Sequence, residues 1–144
     1  GRVAFVTFNA VGEAAAVLEE KVIGTLRSTI SSIPSPSQAL VYAALQSDSF
    51  DKEQEHIRSL LYQRYVKLKD LLTSSHLEFW PFNSAFFALV RTPSDSEEIR
   101  RTLIEKGLGV VSIPGGDAIR ISYSTVAVEE IEAMVRILED VIPR

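Results

Sequence analysis

The sequence contains no cysteine and only two histidines, His56 and His76. The absence of cysteine excludes disulfide bonds, thiol catalysis and thiolate metal sites. The two histidines lie at unrelated positions and do not form the spacing of a metal-binding motif. We therefore expect no metal site in this chain.

The chain also lacks an apolar run long enough to cross a membrane, and no stretch resembles a signal peptide. Its formal net charge is −4, so there is no basic stripe to neutralise the phosphates of a nucleic acid. We expect a cytoplasmic protein with no nucleic-acid or membrane partner. The 46% hydrophobic and 24% charged contents are typical of a globular protein.

The first 50 residues predict one strand and two helices. Residues 2–8 are rich in β-branched and aromatic types, which favour a strand. One helix is predicted to begin at Glu13, and a second to run from Gln38 to about Ser47 after a break rich in Ser and Pro. This strand has no partner nearby and the chain has no initiator Met, so we expect residues 1–50 to be the end of a larger domain.

The remaining residues predict a second domain, 51–144. Apolar residues at helical spacing indicate a long helix, and residues 51–75 are expected to connect the two domains. Short strands are predicted at 77–80, 85–90, 109–113 and 119–123. Helices are predicted after Asp95 and after Thr125. The pattern is typical of an α+β fold in which helices cover a sheet of few strands.

One arginine, Arg120, lies in the middle of the apolar strand formed by residues 118–124. Arginine is rarely buried without a partner, and its planar guanidinium matches a carboxylate or a phosphate. Two interpretations follow: a structural ion pair with a nearby acid, or a binding site for an anion. Arg120 taken alone does not separate them.

The run Gly-Leu-Gly-Val-Val-Ser-Ile-Pro-Gly at 107–115, followed by Ile-Arg-Ile-Ser-Tyr-Ser at 119–124, resembles the C-terminal domain of fold-type I, PLP-dependent class I/II aminotransferases. The turn at 81–87 and the opening residues 1–5 resemble further segments of that family, in the family's order. The resemblance covers essentially the whole chain. It departs at Ala4 and Ala85, where the family commonly has glycine.

The resemblance implies a homodimeric enzyme of amino-acid metabolism that transfers an amino group between an amino acid and a 2-keto acid, with pyridoxal 5′-phosphate (PLP) as cofactor. It implies that Arg120 binds the substrate α-carboxylate and that Asn83 lines the substrate pocket. Arg27 is expected to reach a dicarboxylate side chain across the dimer interface. Arg2 and Ser31 are expected to contact the cofactor phosphate, Ser31 that of the neighbouring subunit.

The same resemblance places the Schiff-base lysine of the family before Gly1. The lysines of this chain are all predicted on helical surfaces: Lys21, Lys52, Lys67, Lys69 and Lys106. We therefore expect these 144 residues to hold no catalytic residue and, alone, to bind no PLP and show no transaminase activity. Two alternatives stay open: a PLP-dependent lyase of the same fold family, and a non-catalytic α+β module that binds amino acids.

Overall fold

The computed structural model describes residues 3–83, 86–113 and 115–143. The chain divides into two compact units, Gly1–Lys52 and Glu53–Arg144. Within the described ranges, no helix has both the length and the apolar content needed to cross a membrane.

The first unit contains helix α1 (Glu13–Thr29) and helix α2 (Ser35–Leu45). Helix α1 begins at the predicted residue. Helix α2 begins earlier than the predicted Gln38, because Pro36 lies in its first turn. Proline is tolerated there, since its missing N–H would have no helical partner in any case. The prediction was wrong in treating both prolines as part of the break.

The strand predicted over residues 2–8 is not formed by the described residues 3–8. A strand depends on hydrogen bonds to a neighbouring strand, and the described part of the first unit supplies none. Neither α1 nor α2 has a buried side chain. Large apolar side chains such as Phe5, Ile23 and Leu40 are therefore left exposed.

The second unit is built on a three-stranded antiparallel sheet with the order β1-β3-β2. Its strands are β1 (Phe87–Arg91), β2 (Val111–Ser112) and β3 (Ala118–Ser122). The segment predicted as a strand at 77–80 forms only one bridge, between Phe79 and Val90. Two hydrogen bonds flank this bridge: the Trp80 N–H donates to the Leu89 carbonyl at 3.0 Å, and the Arg91 N–H donates to the Glu78 carbonyl at 2.8 Å.

Three helices lie wholly or, in the case of the first, mainly in the second unit. They are α3 (Phe50–Ser74), α4 (Ser96–Glu105) and α5 (Ile131–Val141), the last preceded by a 3₁₀ turn at Val128–Glu130. The Asp95 side chain accepts a hydrogen bond from the Glu97 amide, and so caps α4 as predicted. The predicted α+β architecture, a small sheet covered by helices, is confirmed.

Strand β3 places alternate residues on opposite faces of the sheet. Ile119, Ile121 and the following Tyr123 are fully or almost fully buried, whereas Arg120 is exposed. The buried residues of β1, β3 and helices α3, α4 and α5 belong to one apolar cluster. One face of the sheet therefore forms the core, and the other, which carries Arg120, is open.

Candidate functional site

Arg120 occupies the centre of the open face of the sheet. It lies on the middle strand, with Leu89 of β1 opposite on one side and Val111 of β2 opposite on the other. Because both neighbouring ladders fix the backbone of β3, the root of the Arg120 side chain is held in a defined position.

The Arg120 guanidinium rests on an aromatic ring. Its Cζ atom lies 4.5 Å from the ring centroid of Phe87, which is also on the open face. A cation–π contact of this kind contributes about 0.5–1 kcal/mol at an exposed site. Among the described residues, no carboxylate forms an ion pair with Arg120. The interpretation of Arg120 as a structural ion pair is therefore not supported, and its N–H groups are available to a ligand.

Arg91, on the same face of the sheet, differs from Arg120 because it is paired with two carboxylates. Its guanidinium lies 3.4 Å from a Glu78 oxygen and 3.3 Å from an Asp117 oxygen. Its Cζ atom also lies 5.0 Å from the centroid of the Trp80 ring. Arg91 is thus fully engaged, whereas Arg120 has only its aromatic partner.

Arg120 opens onto a surface depression of about 610 Å³. Such a volume lies within the range of roughly 300–1,000 Å³ found for small-molecule sites. The wall is mainly aromatic and apolar, with Arg120 and Asn83 as its polar members. The lining residues are Trp80, Pro81, Phe82, Asn83, Phe87, Leu89 and Arg120.

The turn that carries Asn83 is anchored to the core by Tyr123. The Tyr123 hydroxyl donates a 2.7 Å hydrogen bond to the Asn83 carbonyl oxygen. Burial, with a smaller contribution from the charge of Tyr65, raises the pKa of Tyr123, so its hydroxyl stays protonated and keeps donating. Sequence reasoning missed this role. The signal was a tyrosine on the core face of a strand, since a buried tyrosine hydroxyl usually finds a partner.

Phe82 secures the same turn by packing. Its ring meets Tyr65 of α3 edge-on at 5.5 Å and Phe79 edge-on at 5.9 Å, measured between ring centroids. Edge-to-face pairs at these separations are favourable. The wall of the depression is thus tied to α3 as well as to the sheet.

The other predicted site residues lie elsewhere in the chain. Arg27 is exposed in the last turn of α1, where a cation also interacts favourably with the helix dipole. Ser31 is exposed in the loop after α1, with a φ of 66°. Arg2 lies outside the described residues. The structure therefore brings Arg120 and Asn83 together at one depression, and places Arg27 and Ser31 in the first unit.

Four of the five lysines lie on helices, as predicted, whereas Lys106 is the cap residue just after α4. Three of the five have partners. Lys67 is 3.8 Å from Glu132, Lys106 is 3.9 Å from Asp140, and Lys69 donates to the Tyr65 hydroxyl. Lys21 and Lys52 are exposed on α1 and α3.

The sequence signature of the family "Aminotransferase class I and II" matches residues 1–138. The chain belongs to this family. The resemblance found in the sequence is thereby confirmed, and the match does not favour the alternatives of a lyase or a non-catalytic module. Because the family's enzymes use PLP, the cofactor expectation is supported for the parent enzyme at the level of the family.

Solved aminotransferases share the fold. An aminotransferase from Anaerococcus prevotii is 20% identical with a TM-score of 0.76, and covers 93% of this chain and 33% of its own. LysN, an α-aminoadipate aminotransferase from Thermus thermophilus, is 19% identical with a TM-score of 0.72, covering 87% and 35%. The aromatic aminotransferase from Pyrococcus horikoshii is 20% identical with a TM-score of 0.69, covering 88% and 36%.

The chain therefore spans about a third of the length of these solved relatives. No curated protein is similar enough to count as a match.

Proposed function

We propose that this chain is the C-terminal part of a PLP-dependent aminotransferase, and that it binds the carboxylate of the amino-acid or 2-keto-acid substrate through Arg120. The observation that carries the proposal is the Arg120 guanidinium, which faces a depression and has no carboxylate partner among the described residues. A planar guanidinium binds a carboxylate through two parallel hydrogen bonds.

We further propose that residues 1–50 belong to the large domain of the parent enzyme and residues 51–144 to its small domain, connected by the helix over 51–75. Support comes from the family match and from the division of the chain into units at Lys52. The parent is proposed to be a cytoplasmic homodimer in which Arg27 reaches a dicarboxylate side chain across the interface.

Among the described residues, Ser31 has a side chain suited to binding the phosphate of PLP. Ser31 is exposed, and its hydroxyl has no hydrogen-bond partner among the described residues, so it is free to donate to a phosphate. We assign Ser31 and Arg2 to the PLP phosphate. When bound, PLP supplies an electron sink for removal of the substrate Cα proton.

Within that reaction, the task of this chain is orientation. A carboxylate held by both arms of the Arg120 guanidinium cannot rotate freely, which fixes the direction of the Cα–H bond. Asn83 adds a polar group at the same depression. We propose that none of the five lysines of this chain serves as the Schiff-base lysine, and that the 144 residues alone have no transaminase activity.

The test is Arg120→Lys in the PLP-loaded enzyme that contains this chain. Lysine keeps the charge but loses the planar fork, so we expect KM for the amino donor to rise roughly tenfold to a hundredfold. The matched control is Arg136→Lys, on the surface of α5, where Arg136 pairs with Glu132 at 2.5 Å. An unchanged KM in Arg120→Lys would refute the assignment.

A further inference from the structure

The family does not determine which amino-acid side chain this site accepts. The residues that line the depression indicate which kind of side chain would fit. We propose that the substrate held by Arg120 carries an aromatic side chain, which packs against Trp80. This inference deepens the proposed function and rests on it.

The first observation is exposed aromatic surface inside the depression. Trp80 is 48% exposed and Phe87 is 46% exposed, and both line it. Covering exposed ring surface with an apolar group of a ligand is favourable, because it removes apolar surface from water. Aromatic pairs add about 0.5–1.5 kcal/mol beyond the buried area. An aromatic ring on the substrate is the group that would pack best against these exposed aromatic side chains.

The second observation is the charge of the depression. Among the described residues that line it, Arg120 is the single cation. The other arginine of the open face, Arg91, is already paired with Glu78 and Asp117. The residues that line the depression therefore offer no cation to a second substrate carboxylate, which would depend on a group from outside the depression such as the proposed Arg27. An aromatic side chain needs no such partner, because burying an unpaired charge against an apolar wall is costly.

The third observation is how Trp80 is held. Its backbone N–H donates a 3.0 Å hydrogen bond to the carbonyl of Leu89, the residue directly opposite Arg120 on the neighbouring strand. The Trp80 ring is also stacked on Arg91. Trp80 and Arg120 are thus both positioned by β1, which pairs with the segment of Trp80 on one edge and with β3 on the other. Both side chains line the same depression, so one ligand can contact both.

The test uses the fact that Trp80 is the only tryptophan of the chain. The folded 144-residue chain, checked by circular dichroism, is titrated at constant ionic strength with 3-phenylpropionate and with glutarate. Both probes carry a carboxylate for Arg120, but only one carries a ring. We expect saturable quenching of Trp80 by 3-phenylpropionate, with a Kd at least roughly tenfold below that for glutarate.

Variants show which residue causes the difference, with calorimetry as the readout. Trp80→Ala should weaken 3-phenylpropionate binding roughly tenfold and leave glutarate unchanged, and Trp80→Phe should restore most of the loss. Ile104→Ala on α4 is the matched control, because Ile104 is 47% exposed and lies outside the depression. Arg120→Lys should weaken both probes.

The outcomes separate this inference from the function beneath it. Tighter binding of glutarate, with Arg120 still required, overturns the aromatic assignment and leaves the carboxylate site intact. If Arg120→Lys changes the Kd of neither probe, the proposed carboxylate site itself is refuted. If the isolated chain binds neither probe, the PLP-loaded enzyme decides: a kcat/KM for phenylalanine above that for glutamate supports the inference, and the reverse order overturns it.

Discussion

At the scale of single residues, the open face of the sheet contains two arginines in contrasting states. Arg91 has two carboxylates and a tryptophan ring as partners, whereas Arg120 has the Phe87 ring alone. A ring covers one face of a guanidinium and leaves the N–H groups at its edge unpaired. We therefore expect Phe87 to be a positioning residue, because its ring contacts the Arg120 guanidinium without using the N–H groups that a carboxylate would need.

Phe87→Leu tests this role. Leucine keeps an apolar side chain but removes the aromatic face, so Arg120 gains rotameric freedom that a bound carboxylate must then suppress. We expect the Kd of a carboxylate ligand to rise about threefold to tenfold, with the thermal midpoint Tm little changed because Phe87 is 46% exposed.

The matched control is Phe86→Leu. Phe86 is exposed like Phe87 and contacts the Phe87 ring rather than the guanidinium. Calorimetric titration of both variants measures the effect. Equal losses of affinity in the two variants would show that the Phe87–Arg120 contact has no special role.

At the scale of elements, helix α4 is joined to strand β2 through one carboxylate. Glu97 accepts hydrogen bonds from Arg100 at 2.7 and 2.6 Å, from Ser112 of β2 at 2.8 Å and from Arg101 at 3.2 Å. These contacts, that from Arg100 first, lower the pKa of Glu97 from 4.5 to about 2. The ionised form is thus favoured by folding.

The pKa of Glu97 predicts a pH-dependent contribution to stability. Because the folded-state pKa lies below the ordinary value of 4.5, the contribution is complete above that pH and is lost as the pH falls toward about 2. Glu97→Gln should therefore lower Tm at pH 7, and its difference from the wild type should shrink toward zero near pH 2.

The control for that prediction is Glu98→Gln, the exposed neighbour on α4. Thermal melts followed by circular dichroism from pH 7 downward provide the measurement. A Tm difference between Glu97→Gln and the wild type that stays constant over the whole range would contradict the assigned linkage.

Elements determined by local signals were predictable from the sequence. The start of α1 at Glu13 and the Asp95 cap of α4 each depend on a few adjacent residues. The strand expected at residues 2–8 is not formed by the described residues 3–8, because a strand needs a partner that is distant in sequence. Local patterns do not contain that information.

The candidate site was predictable only in part, because only some of its residues are marked by local sequence patterns. Arg120 could be singled out because a lone cation in an apolar strand is unusual. Phe87 and Trp80 could not, since their closeness to Arg120 depends on the register between β1 and β3 and on the bridge from Phe79 to Val90. Register is a property of the folded sheet.

At the scale of the whole molecule, the two units differ in how they are stabilised. The second unit contains the apolar cluster, which includes Ile121, Leu138 and Leu72 with at most 1% of their surface exposed. The helices of the first unit bury no side chain. Isolated helices of such lengths are only marginally stable in water.

Hydrogen exchange of the 144-residue chain should therefore be uneven. Amides of β3 and α5 are expected to exchange only on cooperative opening of the core, and amides of α1 and α2 at least about a hundredfold faster. Mass spectrometry of peptides from each element provides the measurement. Equal protection of α1 and α5 would show that the first unit has stabilising contacts beyond those described.

The alternation along β3 has a consequence for how such a domain diverges. Ile119 and Ile121 are buried in the core, while Arg120, between them, faces the depression. Changes on the open face, at Arg120 or at its opposite neighbours Leu89 and Val111, can alter what is bound at little cost in core packing. Because core residues and open-face residues alternate along one short strand, the open face can change during evolution while the core residues stay the same. Related domains can thus differ in specificity and keep the same fold.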